Sequence, residues 1–166
     1  MLKKCSIWMS MVCALFVAAA NLAAAEVPAV AMPEDRSEAA IRRFFAENTT
    51  KGVVKGLQLQ GKLPPSKEQQ EQIYRIAYDT FPEVIARIKR AGLYDEYTAL
   101  LFDREIRELD QQSLNAKSLQ EVMTLMHKLM ALFSERYPRV YQLMTADREL
   151  NGITMLMMQK IAAVCK

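Results

Sequence analysis

The stretch Ser118 to Arg136, SLQEVMTLMHKLMALFSER, limits the possible folds more than any other part of the chain. It opens on a capping box, in which the Ser118 hydroxyl accepts from the Glu121 amide while the Glu121 carboxylate reaches back. Leu119, Val122, Met123, Met126, Leu129, Met130 and Phe133 then recur at helical spacing, and Leu125 and Leu132 widen that stripe to roughly half the circumference. No Gly or Pro interrupts it. A face that wide needs neighbours on more than one side, so the pattern predicts an all-α core with this helix at its centre. No segment shows the period-two alternation of a half-buried strand.

The first 25 residues set the expected compartment. Lys3 and Lys4 precede an apolar run from Ile7 to Ala20, and Ala23-Ala24-Ala25 supplies a small-residue cleavage signal before Glu26. This is the three-part pattern of a secretory signal peptide cleaved after Ala25. The uncharged run from Cys5 to Ala25 is long enough to span a bilayer if it stayed attached, but its alanine-rich end makes a poor stop-transfer sequence. Cys13 follows Ser10, Met11 and Val12, which is not the context of an acylated lipoprotein cysteine. A periplasmic or secreted protein is expected, with membrane contact only through the signal segment if that stays uncleaved.

Removing residues 1–25 from 166 leaves 141, enough for one domain without staples. It also removes two of 22 basic residues and no acid, so 20 cations face 19 anions. That balance gives little electrostatic drive toward nucleic acid. Cys5 and Cys13 leave with the signal, so Cys165 has no partner within its own chain. It reads as a small buried hydrophobe or as an intermolecular bridge.

Residues 26–34, with Pro28 and Pro33, read as a flexible leader before a helical domain over 35–166. Asp35 with Glu38 opens a helix through about Asn48, with Ala40, Ile41, Phe44 and Phe45 inward. Gly52, Gly56 and Gly61 leave residues 49–66 open between loop and loose helix. Ser66 and Gln69 cap the next helix. A restart is expected at Phe81-Pro82-Glu83, with Thr80 as N-cap and Gly92 just past a basic last turn. From Tyr94 to Gln112 the apolar residues fall on two nearly opposite sides, so that segment lies between layers or turns near Phe102. Tyr137-Pro138 starts a further helix that Asn151-Gly152 ends, and Ile153 to Cys165 reads as a buried helix. Phe81-Pro82-Glu83-Val84 and Tyr137-Pro138-Arg139-Val140 form a faint internal echo. The sum is a single-domain bundle of about five to six helices.

Chemistry is sparse. Gly56 to Lys62 matches G-x-x-x-x-G-K, but a phosphate loop needs a hydroxyl next for Mg²⁺, where this chain has Leu63. Pro64-Pro65 also disfavours the helix that must begin there. Asp103, Glu105, Glu108 and Asp110 cluster, yet Arg104 and Arg107 interleave. Asp103–Arg107 and Arg104–Glu108 at i,i+4 read as a self-neutralising solvated face. One His and no G-x-S-x-G leave no recognisable catalytic triad. Seven of eleven methionines lie between Met123 and Met158, so a soft Cu(I) site from Met123, His127 and Met130, with Met126 or Cys165, is the alternative to core packing. The expectation is an exported protein without cofactor or metal, acting by binding a protein partner or an apolar ligand, with a homodimer as one arrangement. A soft-metal carrier and an unrecognised helical enzyme are the rival classes.

Overall fold

The computed structural model describes residues 35–166; the expected signal peptide and the leader, residues 1–34, lie outside the described residues. Seven helices follow one another: α1 (Glu38–Leu59), α2 (Lys67–Arg90), α3 (Tyr94–Phe102), α4 (Arg104–Asn115), α5 (Leu119–Arg136), α6 (Pro138–Ala146) and α7 (Arg148–Val164). Among the described residues there is no strand, and no helix is long and apolar enough to cross a membrane. The all-α expectation holds, with seven helices rather than five or six.

The centre is α2, not α5. α2 packs along α1 on one side and α7 on the other. Ile73, Ala77, Phe81, Ile85 and Ile88 run along it fully buried and join two core clusters end to end. On α5 only Val122, Met126 and Phe133 are buried; Leu125, Leu129, Met130 and Leu132 stay half-exposed against α4 and α6. A broad apolar stripe therefore marks a helix at the side of this bundle, covered on part of its width.

Pro82 explains why the central helix is hard to see in the sequence. It sits inside α2, and the chain does not restart at Phe81. A proline cannot donate to the carbonyl four residues back, here that of Tyr78, which normally breaks a helix. Arg42 of α1 replaces the missing donor: its Nε reaches the Tyr78 oxygen at 2.6 Å. The same guanidinium lies over the Tyr78 ring at 3.7 Å. Thr80, the expected N-cap, instead donates its hydroxyl back to the Ile76 carbonyl at 2.7 Å. The echo at Tyr137-Pro138 is not a structural repeat, because Pro138 is the first residue of α6.

Other boundaries follow local chemistry. Ser37, rather than Asp35, caps α1 by accepting from the Ala40 amide, while Asp35 accepts from Ser37. α1 continues through Gly52 and Gly56 to Leu59. It ends where Gly61 takes φ +66° and the Lys62 and Gly61 amides close back on Leu57 and Gln58. Gly92 ends α2 in the same way at φ +68°, as the basic last turn suggests. The Ser66–Gln69 capping box is present. The awkward 94–112 segment turns at Asp103, whose carboxylate accepts from the Glu105 and Ile106 amides and starts α4. Asp147 caps α7 through the Leu150 amide at 2.9 Å, so that helix runs through Asn151-Gly152 instead of beginning after it. α7 buries only Leu150, Met157 and Ile161, leaving Met155 and Leu156 exposed rather than enclosed.

Candidate ligand groove

α1 presents Ile41, Phe44, Phe45, Asn48, Thr49 and Gly52 at successive helical spacings along one face. With Tyr97 and Leu101 of α3 they line a mostly apolar cavity of about 210 Å³. Phe44 and Asn48 are also walls of a second cavity of about 250 Å³, completed by Arg104, Arg107, Glu108, Asp110 and Gln111 of α4. The turn at Asp103 produces this pairing, since it swings α4 away from the line of α3. The result is an apolar half and a charged half meeting along α1.

One feature of the apolar half has no packing reason. Gly52 lies in the interior of α1, where Gly costs about 1 kcal/mol relative to Ala. Nothing lies within 4 Å of where its Cβ would be. The glycine therefore does not serve a close helix contact; it leaves the cavity floor empty. Tyr97, only 4% exposed, closes the α3 side of the cavity with Leu101.

In the charged half, Arg104 is held by Glu108 at 2.7 Å, as the i,i+4 spacing predicts. The other expected pair does not form. Asp103 faces Arg136 at the end of α5 (3.1 Å) and accepts from Tyr137 as well. Burial works to raise the Asp103 carboxyl, but the Ile106 amide, Arg136 and Tyr137 together hold it below its ordinary value. Arg136 also bonds Glu105. Arg107 is left with no ion pair within 4 Å among the described residues, although its charge acts on Asp110. Asp110 is recessed, and burial pushes its carboxyl up to about 6 against the pull of Arg107. The cluster is thus a surface network at one end, with Arg107 and the recessed Asp110 at the other, near each other but not bonded.

The five sulfur and imidazole positions are not brought into one cluster. Met126 packs with Leu59, Ala116 and Val122; Met130 packs on the cluster containing Phe133; Cys165 packs beside Met157 and Ile161. His127 is exposed and Met123 half-buried. Cys165 lines a third cavity, about 230 Å³, with Val53, Leu57, Met158 and Ile161. Burial there pushes its thiol up, which disfavours the thiolate needed for metal binding or attack. Among the described residues no three His, Cys, Asp or Glu side chains group as metal ligands. The Gly56–Lys62 stretch forms the end of α1, with the Gly61 and Lys62 amides bonded within the turn rather than turned to a phosphate.

Asn48, Thr49, Gly52, Tyr97, Leu101 and Gln111 were not legible as site residues. The one sequence signal was Gly52, a poor helix former in a segment that is nonetheless helical. Comparison with protein-family models, with curated proteins and with solved structures finds no match to this chain.

Proposed function

We propose that the chain is an exported binding protein that holds a small apolar ligand in the groove between α1 and the α3–α4 corner. The observation that carries this reading is the 210 Å³ cavity floored by Gly52, where a helix-weakening residue fills no packing need. A dry apolar cavity of about 150 Å³ already accepts benzene in a folded protein, so this one has room for a ring or a short aliphatic chain. Ile41, Phe44, Phe45 and Leu101 supply apolar contact, and Tyr97 completes the wall.

The test is an isothermal titration of the protein, expressed from its full chain, with toluene, alongside Gly52→Leu. A Cβ at position 52 meets nothing within 4 Å, and leucine adds helix propensity. The variant is expected to be at least as stable as the parent by thermal melt and to lose toluene binding by tenfold or more. Equal binding in both proteins would place the ligand elsewhere.

A further inference from the structure

Resting on the groove reading above, we infer that the ligand is a single-chain amphiphile with an anionic head, of the aliphatic or aryl carboxylate class. Its apolar part lies over Gly52 and Tyr97, and its carboxylate meets Arg107.

The argument is one of charge and shape. The two cavities share Phe44 and Asn48 as walls, which sets the charged half next to the apolar half along α1. The charged groups lining that half all come from α4: Arg104, Arg107, Glu108 and Asp110. α1 contributes only the uncharged Phe44 and Asn48, and α5 contributes no lining residue. Glu108 already neutralises Arg104. What is left for a ligand is a guanidinium without an ion pair and a recessed carboxyl. A guanidinium presents a planar fork of N–H donors that matches a carboxylate through two parallel bonds. The carboxyl beside it, when protonated, adds an O–H donor to the same acceptor. With Arg104 and Glu108 paired to each other, an ammonium head would have to reach Asp110 past Arg107. At about 210 Å³ the apolar half suits one chain rather than two.

The closing experiment compares decanoate, decanol and decylamine by isothermal titration on the protein expressed from its full chain, at pH 5.5 and 7.5. Decanoate is expected to bind at least tenfold more tightly than decanol or decylamine, with the larger margin at pH 5.5, where more of Asp110 is protonated than at pH 7.5. Arg107→Gln is expected to bring the decanoate-to-decanol ratio within about twofold of one. Arg75→Gln, on an exposed ion pair of α2, should leave that ratio where it was. Decylamine binding most tightly, or a ratio untouched by Arg107→Gln, would overturn the anionic head while leaving the apolar groove standing. If none of the three binds, or Gly52→Leu binds decanol as the parent does, the groove reading falls and this inference with it. Loss of decanol binding as the protein self-associates at higher concentration would assign the groove to a second copy, and also overturns the proposal.

Discussion

Asp110 shows how one side chain ties the site to stability. Its carboxyl is pushed up to about 6 by burial, against an ordinary value near 3.9. Between those two values the folded chain keeps a proton that the unfolded chain has released, so stability falls as pH rises through that window. Above about 6 the full cost of the buried charge remains, up to about 3 kcal/mol at 1.36 kcal/mol per pH unit. Asp110→Asn should therefore be more stable than the parent at pH 7, by up to about 3 kcal/mol, and about equal to it at pH 4. Urea melts at the two pH values would show this, and an equal difference at both would contradict it. Asp147 has the opposite sign: the Arg87 bond holds its carboxyl down, so its contribution is lost only as pH falls below the ordinary value. Met126 tests the packing account of the methionines. It is 7% exposed among Leu59, Ala116 and Val122, so Met126→Leu should cost less than about 1.5 kcal/mol and Met126→Ala about 2–5 kcal/mol. A rise in melting temperature with Cu(I), present in the parent and absent in Met126→Leu, would favour a soft-metal site instead.

At the scale of elements, what could be read from the sequence was whatever local chemistry decides. The Ser66 and Ser118 caps and the Gly92 terminus depend on residues within one turn and are where the spacing puts them. Pro82 is different. Whether a proline breaks a helix depends on whether the orphaned carbonyl finds another donor, and here that donor is Arg42, thirty-six positions earlier in the chain. No window around Pro82 contains that information, so α2 read as two helices and the bundle's centre was sought in α5. The groove was hidden for the same reason: it exists only because α3 and α4 part at Asp103 beside a face of α1. The Arg42 account predicts coupling. Arg42→Met should cost on the order of 1–3 kcal/mol, since it leaves the Tyr78 oxygen without a donor. In a Pro82→Ala background the residue-82 amide can serve that oxygen, so the same change should cost about 1 kcal/mol less. A double-mutant cycle by chemical denaturation measures this directly. No coupling would mean that the Arg42 bond is incidental.

At the scale of the molecule, the core is not evenly filled. α2 draws α1 and α7 tightly around Ile73, Ala77 and Phe81, while two neighbouring cavities that share Phe44 and Asn48 lie between α1 and the α3–α4 corner. A bundle that only needed stability would gain from a larger residue at position 52. The claim that this space is a ligand site is tested most directly by an amide and methyl NMR titration with decanol. The account predicts saturable shifts concentrated at Ile41, Phe45, Gly52, Tyr97 and Leu101, and their disappearance in Gly52→Leu. Shifts centred instead on the exposed Met155 and Leu156 of α7, or unchanged by Gly52→Leu, would contradict it.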